Sequence, residues 1–132
     1  MMRGLPLSGK TEWATKWANE HADRLRLSWT DTLRQMGDKF NKRRRPLAFE
    51  ATIHTMTEAL RQGISVVIDE ENLYEPLYRL FLEHANRLDT FIEWHTMETT
   101  PHECKQRNAA AGHPIADMEI DRKAERFINH FK

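Results

Sequence analysis

Gly4, Gly9, Lys10 and Thr11 have the types and spacing to hold a phosphate, matching G-x-x-x-x-G-K-[ST] without a mismatch. Leu5, Pro6, Leu7 and Ser8 fill the loop between them. The glycines let backbone close around an anion, and successive amides together with the start of a following helix point at it. The Lys10 ammonium reaches β- and γ-phosphates, and the Thr11 hydroxyl is offered to Mg²⁺. A glycine turn that simply begins a helix is the plainer alternative. Two acidic positions suit the same chemistry. Asp69 ends the apolar run "ISVVIDE" (64–70), where a carboxylate can hold Mg²⁺ through water. Glu70 and Glu71 are adjacent, so the location is better defined than the choice among the three, and a polar strand end is the simpler account. Asp31 can accept the proton of an attacking hydroxyl; alternatively, Thr30 or Asp31 caps a helix.

These residues need elements to position them. Trp13, Ala14, Trp17 and Ala18 recur at helical spacing and predict a helix from about Lys10 to Ala22. Leu25, Leu27 and Trp29 alternate as in a short strand with Arg26 and Ser28 on its other face. A helix from Asp31 to Met36 is interrupted by Gly37, and a basic loop from Lys39 ends in Pro46. Leu47 to Gln62 reads as a helix with Gly63 as its C-cap. Residues 64–70 form the strongest strand, their β-branched run fitting a parallel strand buried on both faces. Helices follow at Tyr74–Leu88, Pro101–Ala111 and Ile115–Phe131, with "DTFIEWHTM" (89–97) as a strand. Strands alternating with helices predict an α/β fold with a mostly parallel sheet, its ligands at the carboxyl ends of the strands. Only Met1, Met2 and Arg3 precede the phosphate loop, so its supporting strand is very short, or the helix and neighbouring strands hold it.

The 132 residues suit one domain without a linker. Twenty basic side chains balance twenty acidic ones, so binding of a polyanion must come from local patches. One such patch is Lys39, Lys42, Arg43, Arg44 and Arg45, equally readable as a solvated loop. The single cysteine, Cys104, excludes an internal disulfide and fits a reducing compartment. No apolar run approaches the roughly 18–20 residues of a membrane span, and the polar N-terminus lacks a secretory apolar region. A soluble cytoplasmic protein without membrane contact is expected. An apolar fraction of 39% and a mean hydropathy of −0.74 predict a thin core, supported by a partner or by self-association. The seven histidines show no metal-ligand spacing; His113 is read as a surface residue, with contact to a nucleotide as the alternative. Trp13 and Trp17 are read as packing of the first helix.

Four segments in order resemble one family. "GLPLSGKTEWA" looks like the opening loop of the phage-type polynucleotide 5′-hydroxyl kinases and their small P-loop kinase relatives. "SWTDTLRQM" resembles their segment with an Asp followed three residues later by an Arg, and "VVIDEENL" resembles their third-strand segment. "ECKQRNAAAGHPI" is similar to their lid. The resemblance implies a P-loop NTPase-like three-layer α/β/α fold with a truncated first strand, and ATP with Mg²⁺ as cofactors. It further implies that the loop from Gly4 to Thr11 binds ATP, with Thr11 and Asp69 toward the metal. Asp31 would be the general base, Arg34 would hold an acceptor phosphate, and Arg107 in the lid would contact the nucleotide and neutralise transferring charge. Asn72 would orient the loop after the third strand on the acceptor side. Three departures stand out: Leu7 replaces a glycine, Glu71 a threonine, and Ala111 a second lid arginine. The leading expectation is transfer of γ-phosphate to a hydroxyl, favouring the 5′-OH of a polynucleotide or nucleotide. A kinase of a small metabolite, nucleoside, sugar or antibiotic, and a reduced non-catalytic P-loop domain, are the alternatives.

Overall fold

The computed structural model describes residues 1–37, 42–112 and 114–131, so Lys39 of the basic run and His113 lie outside the described residues. In chain order the elements are β1 (Met2–Arg3), α1 (Lys10–Asn19), β2 (Arg24–Leu27), α2 (Trp29–Gln35), α3 (Arg44–Arg61), β3 (Ser65–Ile68), α4 (Glu75–Asn86), β4 (His95–Thr96), α5 (Pro101–Ala109) and α6 (Asp117–Phe131).

Local chemistry accounts for most of the boundaries. Ser28 is extended and its hydroxyl caps α2, so Trp29 begins that helix and does not end β2. Pro46 is accommodated in the first turn of α3, where its missing N–H is not needed, and the helix therefore starts at Arg44 instead of Leu47. Gly63, at φ 78°, follows the end of α3. Thr100 and Glu103 form a reciprocal capping box at the start of α5, with Pro101 in its first turn. The expected strand over 89–97 contracts to His95–Thr96, because Asp89 turns left-handed (φ 53°) after α4 and Phe91 is 83% exposed.

Among the described residues all strand pairing is parallel, but the sheet is divided. One ladder pairs β1 with β4, placing Met2 opposite His95 and Arg3 opposite Thr96. The other pairs β2 with β3, from Arg24 opposite Ser65 to Leu27 opposite Ile68. The two ladders join near the carboxyl ends of β1 and β3. There Gly4 N–H donates to Glu71 O at 3.2 Å, the Asn72 side-chain amide donates to Met2 O at 2.6 Å, and Arg3 Nε donates to Asn72 O at 3.2 Å. Alongside the strands, a cavity of about 890 Å³ is lined by Met1, Met2, Trp13, Trp17, Val66 and Ile68, among others. The phosphate loop therefore hangs from a two-residue strand fixed by β4 on one side and by a side-chain amide on the other.

Alternation along β3 builds the layers. Val67 packs with Met2 of β1 and Ala14 of α1, with Trp13 and Trp17 against them. Ile68 packs on the opposite face with Met56 of α3 and Phe81 of α4. A third cluster unites Leu5 of the loop with Leu73, Cys104 of α5, and Ile120, Ala124 and Phe127 of α6. Among the described residues the core is thus three small clusters, and the last ties the loop to α5 and α6. No helix among the described residues is long and apolar enough to cross a membrane.

Candidate functional site

The loop from Gly4 to Gly9 is shaped by two left-handed positions and one close approach. Gly9, at φ 96°, sits at the N-cap of α1. Leu7 is also left-handed, at φ 63°, a conformation costing a non-glycine residue about 1–2 kcal/mol. Its side chain packs against the cluster of Leu5, Cys104 and Ile120, so the loop keeps a glycine-like backbone at this departure from the family pattern. A β-carbon on Gly4 would lie 2.7 Å from Ser8 Oγ and 3.0 Å from Met97 Cβ. Lys10 is buried, and its ammonium donates to Leu5 O at 2.6 Å and Gly4 O at 3.2 Å. Burial lowers its pKa, while the carboxylates of Glu71, Asp69 and Glu70 oppose that shift. Thr11 stands exposed in the first turn of α1. From outside, Thr99 Oγ1 donates to Ser8 O at 2.7 Å and Arg107 Nη1 to Leu7 O at 3.0 Å.

The three consecutive acids after β3 take three different partners. Asp69 is almost fully buried, and its Oδ2 accepts from Nε of Arg26 at 2.7 Å with Nη2 of the same guanidinium ion-paired to it at 2.7 Å. Glu70 accepts from Ser28 Oγ at 2.8 Å, Thr30 N–H at 3.0 Å and Thr30 Oγ1 at 2.9 Å. Burial pushes the Glu70 carboxyl above its ordinary range, and those donors pull it part of the way back. Glu71 pairs with Lys123 of α6 at 2.8 Å. Asp31 lies in the first turn of α2, but neither it nor Thr30 is the cap. Ser28 Oγ accepts from Asp31 N–H at 3.1 Å, which leaves the Asp31 carboxylate for other partners. Its Oδ2 accepts from Arg26 Nη1 at 2.8 Å, and its Oδ1 accepts from Arg34 Nη1 at 3.1 Å. Burial opposes the Arg26 charge, yet the bonds to Asp31 and Asp69 hold its pKa above the ordinary value.

Asn72, at φ 52°, uses its amide on β1 and so orients the chain after β3. Its neighbours Tyr74 and Leu73, with Thr30, Glu70 and Arg34, line a groove of about 1400 Å³ bounded by α3, α4 and α6. Trp29, Phe49 and Ile53 give the groove an apolar wall, and its charged lining is mixed, with Arg45, Arg122, Lys123 and Arg126 beside Glu50, Glu58, Glu70 and Glu71. Across the last turn, buried Asn108 donates to Ile115 O at 2.7 Å and accepts from Ile115 N–H at 2.9 Å, clasping α5 to α6. Ala111 lies within that turn and supplies no cation there. Sequence reasoning missed Arg26, the bonding of Glu70 and the Asn108 clasp. The only available signal was the alternation that set Arg26 and Ser28 on one face of β2. For Mg²⁺, the hard oxygens of Thr11 and Asp69 are the appropriate donor type. Among the described residues no three His, Cys, Asp or Glu side chains come together as a metal-ligating group.

A family model described as an AAA domain matches residues 1–127. No curated protein matches the sequence. The fold is similar to a chain in the structure of the Pnkp1/Rnl/Hen1 RNA repair complex, with a TM-score of 0.83, 14% identity, and coverage of 97% of this chain and 43% of that one. A chain in a structure of the Pnkp1/Rnl/Hen1 complex gives a TM-score of 0.71 and 18% identity, over 80% of this chain and 37% of that one. This chain therefore spans about two fifths of the length of the chains it matches. The likeness is one of fold: an α/β, P-loop NTPase-like architecture with short parallel strands and a truncated β1.

Proposed function

Since the chain belongs to the AAA domain family, we propose that it is an ATP- and Mg²⁺-dependent phosphotransferase whose acceptor is a hydroxyl, favourably the 5′-OH of a polynucleotide or nucleotide. The observation that carries this reading is the junction at Arg26: Asp69 at the end of β3 and Asp31 at the start of α2 share one guanidinium. Arg34 stands on the outer oxygen of Asp31 and itself lines the groove. The naming of one structural neighbour as part of an RNA repair complex supports a nucleic-acid acceptor.

In the reaction the acceptor oxygen bonds to the γ-phosphorus, the bond to the ADP oxygen breaks, and the hydroxyl proton passes to Asp31. Lys10 and the amides of residues 4–11 hold the phosphates. Thr11 and Asp69 would hold Mg²⁺, which would supply neutralisation of phosphate charge. Arg107 stabilises charge developing on the transferred group. Arg34 holds an acceptor phosphate, Asn72 shapes the acceptor side, and the groove receives the rest of the acceptor.

The test is transfer of labelled γ-phosphate to oligonucleotide 5′-OH ends, nucleosides and small hydroxyl metabolites. Oligonucleotide ends should be the best acceptors, and Asp31→Asn should lower kcat by about 10²–10⁴-fold. Equal use of free nucleosides removes the polynucleotide acceptor. Nucleotide binding without transfer to any acceptor removes the enzyme reading.

A further inference from the structure

Resting on the reading of Asp31 as the base, we propose that Arg26 is a positioning residue that selects Oδ1 of Asp31 as the oxygen that takes the acceptor proton. A guanidinium offers its N–H donors in one rigid plane. Two of the Arg26 nitrogens, Nε and Nη2, are committed to Oδ2 of Asp69, whose side chain is 2% exposed. That pairing fixes the direction of the remaining nitrogen, Nη1, which donates to Oδ2 of Asp31. The β2–β3 register, Arg26 opposite Val67 and Leu27 opposite Ile68, sets the whole fork against the sheet. Oδ2 of Asp31 is therefore tethered to the rigid centre of the fold.

Oδ1 is held differently. Its partner Arg34 lies on the surface of α2 with a side chain 59% exposed, against 22% for Arg26. An acceptor phosphate competes for Arg34 and can draw it from the carboxylate. When Arg34 transfers to the acceptor, Oδ1 is uncovered while Arg26 keeps the carboxylate plane still. The two arginines thus divide the work: one is exchanged for substrate, and the other stays.

A purely electrostatic role, neutralising buried Asp69, predicts that any cation suffices at position 26. Arg26→Lys keeps a cation beside Asp69 but lacks the planar fork. Its KM values for ATP and acceptor should stay near wild type while kcat falls by about 10–100-fold, the effect of a misplacement of about 1 Å. In Arg26→Ala, added methylguanidinium should restore part of kcat and methylammonium should not. Thermal midpoints of Arg26→Lys, Asp31→Asn and the double variant should be non-additive, reporting the bridge without turnover. Wild-type kcat in Arg26→Lys, or equal rescue by both cations, overturns the positioning role while leaving the enzyme reading intact. A wild-type protein that transfers to no acceptor overturns the role of Asp31 as base, and the selection of Oδ1 falls with it. Should Arg26→Ala not fold, the Lys variant and the thermal cycle decide the question.

Discussion

At the scale of single residues, the contiguous part of the site was legible in the sequence and the assembled part was not. The types of Gly4, Gly9, Lys10 and Thr11 already specify a tight glycine-bounded loop that leads into a helix. No such local rule assigns Asp69, Glu70 and Glu71. Their partners are Arg26, the start of α2, and Lys123, and these depend on strand register and helix placement. Glu70 carries a testable consequence of its burial. Its folded carboxyl holds a proton more tightly than in the unfolded chain. Stability from this group is therefore lost as pH rises from the ordinary carboxylate range through the raised value, and is flat above it. Glu70→Gln cannot ionise, and its oxygen still accepts from Ser28 or Thr30. The difference in thermal midpoint, variant minus wild type, should grow with pH across that window and then level. A constant difference would show that Glu70 does not titrate there.

At the scale of elements, the helices among the described residues were each legible as segments, whereas the ends of elements depended on caps and the weak strands on their neighbours. The 89–97 segment has strand-like composition, but the left-handed turn at Asp89 and the exposure of Phe91 confine pairing to His95–Thr96. The lid-like segment that holds Asn108 was visible as a pattern, without the function of that side chain. Asn108 proves to be the clasp that closes the turn onto Ile115 with two hydrogen bonds. Asn108→Ala should cost about 1–3 kcal/mol, because it leaves backbone groups of Ile115 without their partner. Thermal unfolding measures the loss, and hydrogen exchange at the Ile115 amide localises it. Unchanged exchange at that amide would mean that other contacts hold the turn.

At the scale of the whole molecule, the order of elements and the parallel direction of the strands were readable, but the division into two ladders was not. It follows from a β1 of two residues, too short to carry a ladder on both edges, with Asn72 supplying the contact a longer strand would make. Because the loop, α5 and α6 share one of the three core clusters, nucleotide in the loop should stabilise the fold as a unit. At a free ATP–Mg²⁺ concentration about 100 times Kd, the gain is about 2.7 kcal/mol, a rise in thermal midpoint on the order of 10 °C. Lys10→Ala should abolish most of that rise; an undiminished rise would place the nucleotide elsewhere. The clasp between Asn108 and Ile115 also bears on how such a chain can diversify. With both ends of residues 109–114 pinned, extra residues inserted there meet only a slowly growing closure entropy. One residue inserted at the end of β3 would instead rotate three carboxylates away from three separate partners. Insertions in descendants of this sequence should therefore accumulate in the turn after α5 and be purged between Ile68 and Asn72.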